Sequence, residues 1–253
     1  MSRPRRRLRR AVRRLRHGRL PLLAAAVAAV IVVVAIVTTG HDVSRSVAPA
    51  AASGPAASST APSDGSRSVA VLGDSISEGT PFGGKGAANW TQLVAAQRHW
   101  TVTNTAVGGT GYVYAGSSRP FEEAQLERAV AARPELVVIE GSRNDMGTPV
   151  DQIRAASTHL YRALQARLPG VRLVVVGPFW NAGSSQKAFA TRDALADSAR
   201  AAGASFVDPM AENWFTGAYD GGPLIGADHV HPTDAGHALY AQRLGAALDR
   251  LQL

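Results

Sequence analysis

The chain contains no cysteine among its 253 residues. That excludes disulfide bridges, a thiolate nucleophile and any Cys-ligated metal, so an exported domain of this sequence must draw its stability from its core. Acidic residues are missing from positions 1–20, "MSRPRRRLRRAVRRLRHGRL", which hold ten Arg. Charge of either sign is missing from positions 20–37, "LPLLAAAVAAVIVVVAIV". Outside the first twenty residues, 17 basic side chains face 19 acidic ones, so the formal net charge of +8 belongs to a tail and not to a domain. An Arg-rich tail alone would suit nucleic acid. Followed by an uncharged run that spans about 27 Å as a helix, it sets membrane orientation instead. The expected organisation is an Arg-rich cytoplasmic tail (1–19), a single transmembrane signal anchor (20–39), and a linker at 40–67 rich in Ala, Ser and Pro. The extracytoplasmic domain follows at 68–253. The alternative is a signal peptide cleaved at a small-residue site such as Ala48-Pro49-Ala50, which would release a secreted domain. Nucleic acid is not an expected partner; the membrane, through the N-terminal helix, is.

Within 68–253, short apolar runs alternate with helical stretches. The runs are Val69–Leu72, Trp100–Asn104, Glu135–Ile139, Val171–Val176 and Ser205–Val207. The stretches between and after them, Ala87–Arg98, Phe121–Arg133, Val150–Leu168, Ser185–Ala202 and Thr233–Leu251, carry helical patterning, with Pro120 and Pro232 near helix starts and Pro169-Gly170 as a stop. Nearly continuous apolar strands separated by helices imply a parallel five-stranded sheet covered on both faces, a three-layer α/β/α fold of flavodoxin-like type. Ligands of such sheets sit beyond the carboxyl ends of the strands.

Two polar clusters arrive at that rim. "GDS" (73–75) follows the first strand and "GSRNDM" (141–146) follows the third. Ser75 is the candidate nucleophile, although Gly-Asp-Ser is also ordinary turn chemistry. "DHVHPTDAGH" (228–237) supplies a base and a group to orient it. If the segment turns helically, Asp228 and His231 share a face, leaving Nε2 of His231 to take a proton from Ser75. His229 and His237 read as surface histidines at a capped helix start. Three His and two Asp in ten residues raise a metal site as an alternative, which no Cys and no His-Glu-x-x-His spacing support. Asn144 offers a neutral amide donor for an oxyanion. "NTAVGGTGY" (104–112) offers glycines that admit close approach of a backbone N–H, and does not match a phosphate loop. The aromatic segments "PFWNAG" (178–183) and Trp214-Phe215 read as core or as walls of a substrate site.

In combination these blocks resemble the SGNH (GDSL-type) hydrolases, over most of residues 68–253 and in that family's order. The resemblance implies an exported or membrane-anchored bacterial serine esterase with Ser75, Asp228 and His231 as triad. Its oxyanion hole would be formed by the N–H groups of Ser75 and Gly109 and the side chain of Asn144. It implies no cofactor and no metal. One departure stands out: Ser142 occupies the place of the family's Gly in Gly-x-Asn-Asp, where its side chain could narrow the pocket or tilt Asn144. Two other functions remain compatible, an O-acyltransferase using the same site and a catalytically silent, membrane-tethered binding module. The acyl and alcohol groups of the ester are open, with lipids, glycans and small molecules all admissible.

Overall fold

The computed structural model describes residues 66–253, apart from 115, 117–118 and 219–221. The Arg-rich tail, the apolar run at 20–37 and most of the linker lie outside the described residues. Among the described residues, no helix is long and apolar enough to cross a membrane.

Five strands form one parallel sheet: β1 (Ser68–Leu72), β2 (Thr101–Asn104), β3 (Leu136–Glu140), β4 (Arg172–Val176) and β5 (Ser205–Val207), in the order β2-β1-β3-β4-β5. Val69 pairs with Val102 on one side and Leu136 on the other. The order reverses beside β1, which places a switch point, and hence a crevice, between the carboxyl ends of β1 and β3.

The side-chain period of two splits each central strand between two cores. Val69, Val71, Leu136, Val138, Val174 and Val176 face helices α2 (Trp90–Arg98) and α6 (Asp234–Arg250), packing on Trp90, Val94, Tyr240, Leu244 and Leu248. Ala70, Leu72, Val137, Ile139, Leu173 and Val175 face α3 (Phe121–Ala131), α4 (Val150–Arg167) and α5 (Gln186–Ala201). Burial on both faces explains why these strands read as unbroken apolar runs.

The expected elements lie within two residues of the observed ones, with one exception. The first helix was expected from Ala87, yet α2 begins at Trp90, after a separate 3₁₀ turn at Gly86–Ala88. Asn89 separates the two: its backbone is extended and its side chain caps Thr91 N–H at 2.9 Å. The sequence also gave no sign of a four-residue helix, α1 (Ser75–Glu78), directly after the Gly-Asp-Ser triplet.

Candidate active site

β1 ends at Leu72, and Gly73 turns the chain into α1. A Cβ at Gly73 would come within 2.5 Å of Ser77 Oγ and 3.1 Å of Glu140 Oε2, so only glycine lets α1 approach the sheet this closely. The buried Gln125 of α3 grips the Gly73 peptide from both sides, accepting its N–H and donating to its carbonyl, each at 2.8 Å. Asp74 caps α1 by accepting Ile76 N–H at 2.9 Å. Ser75 is therefore the first residue of a short helix at a strand end, held by neighbours that are themselves pinned.

Ser75 Oγ lies 2.8 Å from His231 Nε2, and His231 Nδ1 lies 2.5 Å from Asp228 Oδ2. The structure brings these three side chains together, but not through the helical turn expected from their spacing. Asp228–His231 is not helical. Asp228 Oδ1 accepts the N–H groups of both Val230 and His231 at 3.1 Å, a side-chain-closed turn, and His229 adopts a left-handed backbone, φ 57°. α6 starts only at Asp234, because Pro232 disfavours a helical His231. Burial alone would raise the Asp228 carboxyl. The hydrogen bonds from the His231 side chain and from the two backbone N–H groups outweigh it and hold the group below the usual carboxylate range. An ionised Asp228 favours the tautomer of His231 that carries its proton on Nδ1, leaving Nε2 to accept from Ser75.

The other two histidines of the segment separate. His229 is exposed. His237, expected at the surface, is 1% exposed, wedged against the Gly84 backbone, and accepts Trp90 N–H at Nδ1. Burial depresses it to about 4. Among the described residues, no group of three or more His, Asp or Glu side chains could hold a metal ion.

Asn144 follows β3. Its Nδ2 donates to Thr110 O at 2.8 Å and lies 3.4 Å from Asp74 Oδ2, across the switch point from Ser75. Its neighbour Asp145 is fully buried and accepts three successive backbone N–H groups, those of Tyr112, Val113 and Tyr114, at 2.8–3.1 Å. Asp145 thereby folds the 110–114 loop under Asn144. Asp145→Ala would strand those three donors, and urea unfolding is expected to show a loss of about 3 kcal/mol. Ser142 does not narrow the pocket. It is fully buried, with its hydroxyl 3.5 Å from Thr110 O and bonded to Asp145, so it supports the same loop from beneath.

Gly109 has φ 72° and an unobstructed Cβ position, so backbone conformation is what requires glycine there. Gly108 donates its N–H to Glu78 Oε2 at 3.0 Å, and a Cβ on it would stand 3.6 Å from Ser75 Cβ, which brings the glycine loop up to α1. Asn104 anchors the loop's start, donating to Ser77 O at 2.7 Å.

Beneath the rim lie two carboxyls that the sequence reading did not use. Burial, reinforced by the charge of Asp145, pushes Asp74 up to about 7. Burial and then the charge of Asp74 push Glu140 well above the usual range, and its Oε2 accepts from Ser77 Oγ at 2.8 Å. Near neutral pH the floor of the site thus carries less negative charge than its composition suggests. That matters beside any group meant to stabilise an oxyanion.

Another residue not apparent from the sequence is Asn181, fully buried after β4. Its Oδ1 accepts from Arg143 at 2.8 Å and its Nδ2 donates to His229 O at 3.0 Å. Arg143 is stacked on Trp180, 4.6 Å from the ring centroid. One amide therefore joins the loop bearing Asn144 to the loop bearing Asp228 and His231. Of the aromatic segments considered above, Phe179, Trp214 and Phe215 are core side chains, and Trp180 alone reaches the rim.

Residues 71–239 match the family described as GDSL-like lipase/acylhydrolase. The chain belongs to that family. A GDSL lipase of Mycobacterium tuberculosis is 40% identical over 185 residues, which cover 70% of this chain and 79% of the relative. Among solved structures, a psychrotrophic esterase from Pseudoalteromonas aligns with TM-score 0.56 at 18% identity, over 74% of this chain and 98% of its own. An acetyl-xylooligosaccharide esterase from Geobacillus aligns with TM-score 0.55 at 19% identity, over 70% and 92%. At that identity the two structures attest the fold. Membership of the GDSL-like family makes this chain a serine hydrolase of ester bonds.

Proposed function

We propose that this GDSL-like hydrolase is a membrane-anchored esterase that cleaves carboxylic esters outside the cytoplasmic membrane through Ser75, His231 and Asp228. The observation that carries the reading is the continuous hydrogen-bonded chain from Ser75 Oγ through His231 to Asp228, set beside Asn144 at the sheet's switch point. In this reading His231 Nε2 takes the Ser75 proton as Oγ attacks the carbonyl carbon. The tetrahedral oxyanion is met by the N–H groups of Ser75 and Gly109 and by Asn144 Nδ2. Collapse expels the alcohol, which takes the proton from His231, and leaves an acyl-enzyme. Water, activated by the same imidazole, releases the acid. Asp228 holds the ring and stabilises the imidazolium. Neither a metal nor a cofactor enters.

The substrate is an acyl or acetyl ester of a lipid, a glycan or a small molecule. The test is a panel of short- and long-chain esters and O-acetylated glycans, run with and without a serine-directed fluorophosphonate. Hydrolysis that the probe abolishes supports the proposal. A chain that neither labels nor hydrolyses any member would leave only the fold of an esterase. Product analysis with an added acceptor alcohol identifies any transferase activity.

The location rests on the ten Arg that precede the uncharged run at 20–37. Protease added to intact spheroplasts is expected to digest residues 68–253. Protection of that domain would overturn the topology.

A further inference from the structure

Among the described residues, two large apolar side chains stay exposed: Phe82, at 41%, and Tyr114, at 46%. Single exposed hydrophobes are ordinary, but both of these are fastened to the site. The Phe82 ring lies parallel to the imidazole of His231, within 3°, with centroids 6.2 Å apart. Tyr114 belongs to the oxyanion flank. Asp145 holds its N–H, and a Cβ on Gly116 would touch both its ring, at 3.1 Å, and Gly109 O, at 2.7 Å.

The mounting of Phe82 is rigid. Thr80 and Gly83 exchange backbone hydrogen bonds of 2.9 and 3.2 Å, which leaves Pro81 and Phe82 at the corner of a tight turn, with proline presetting the first corner residue. Phe82 N–H donates to Thr80 Oγ1 at 3.2 Å. The turn is clamped to the start of α6, just after His231. A Cβ on Gly83 would come within 2.4 Å of the Thr233 carbonyl carbon, and Gly84 N–H donates to Asp234 Oδ1 at 2.8 Å. Below the ring, a Cβ on Gly226 would meet Phe82 Cβ at 2.7 Å, while Gly226 N–H donates to His231 O at 2.8 Å. Phe82 and His231 are thus carried on one braced unit.

We infer that Phe82 is the wall on which the leaving alcohol of the substrate lies, and that this alcohol is apolar, alkyl or aryl, and not a polyol. The inference rests on the proposed function. As the tetrahedral adduct collapses, the bond from the acyl carbon to the alcohol oxygen breaks. That oxygen keeps the electron pair and takes from His231 Nε2 the proton that Ser75 gave up. The group attached to that oxygen must then pass beside the imidazole, where the parallel phenyl ring stands. Within the mounting, Thr80 Oγ1 accepts the Phe82 N–H, and Asp234 Oδ1 and the N–H groups of Gly84 and Gly226 are engaged. The surface that remains next to His231 on this side is hydrocarbon, which an alkyl or aryl group covers favourably and a polyol does not.

The experiment compares kcat/KM of the full-length chain for ethyl, hexyl and benzyl acetate and for glycerol monoacetate. One acyl group is common to all four, so deacylation is shared and differences report on the alcohol. The wild type is expected to prefer hexyl and benzyl acetate over ethyl acetate by about tenfold, the effect of roughly 1.4 kcal/mol, and to disfavour the glycerol ester. Phe82→Ala is expected to collapse the hexyl-to-ethyl and benzyl-to-ethyl ratios toward one, with fluorophosphonate labelling reporting that the site is assembled. Should the alanine variant fail to label, Phe82→Gln, of similar length but polar, carries the same comparison. An active wild type whose ratios are flat, or unchanged by these substitutions, overturns the inference and leaves the esterase reading standing. A preference for the glycerol ester that depends on Phe82 overturns it as well. A wild type inert toward all four esters, and toward the wider panel above, overturns the esterase reading and the inference with it.

Discussion

Ser75→Ala is expected to abolish fluorophosphonate labelling and to lower kcat by about 10⁶-fold, the scale seen when a nucleophilic serine is removed from a triad that works as a unit. The fold should survive. The hydroxyl of Ser75 is bonded to His231 at the rim, while its carbonyl accepts Gly79 N–H at 3.0 Å, a bond alanine keeps. Urea unfolding should therefore place the variant within about 1 kcal/mol of the wild type, the range of one modest hydrogen bond. Labelling that persists and maps to Ser77 would sink the assignment. Ser77 is an unpromising substitute, because it is fully buried and its hydroxyl donates to Glu140.

The second large effect separates two histidines that lie two residues apart. His231→Ala is expected to cut kcat by at least roughly 10²-fold, the low end of general acid–base effects, with much less effect on KM. His229→Ala should stay within a few-fold. His229 is exposed, and its carbonyl, which accepts from Asn181, survives any side-chain change. His229 has φ 57°, a left-handed conformation in which alanine offers no local side-chain hydrogen bond. His229→Asn, which tolerates that conformation, is the cleaner control. Steady-state kinetics of the three variants on one soluble ester decide the matter. A crippled His229→Asn beside a near-normal His231→Ala would mean that the triad is drawn wrongly.

Features that depend on local patterning were legible in the sequence. The runs Val69–Leu72 and Val171–Val176 are apolar throughout because both sheet faces are covered, and no tertiary detail was needed to read them as parallel strands. The polar blocks after the first and third strands were likewise legible as strand-end clusters. What escaped was whatever depends on partners distant in sequence. The Asp228–His231 pairing was found through spacing, but the turn that delivers it is closed by the Asp228 side chain and a left-handed His229, which a helical template cannot represent. His237 looked like another polar residue of a helix start. Its burial follows from Gly84 and Trp90, some 150 residues earlier in the chain. Gln125 and Asn181 sit inside stretches read as ordinary helix and aromatic loop, Glu140 lies one residue past the third expected strand, and nothing local marks them as supports of the site. Phe82 sits in a Thr-Pro-Phe-Gly turn whose importance appears only once α6 and His231 are seen beside it. The apolar run at 20–37, on which the proposed topology rests, lies outside the described residues.

The Asn181 amide has a consequence for any attempt to remodel this enzyme. One end is spoken for by Arg143 and the other by the carbonyl of His229. Segments 141–146, 178–183 and 226–232 are consequently tied together through one side chain, although the chain separates them by more than thirty residues at each step. A specificity graft that imports one of them from a relative inherits a half-bonded buried amide, at a cost of about 1–3 kcal/mol, and a misaligned base along with it. Moving all three together carries the alignment across intact.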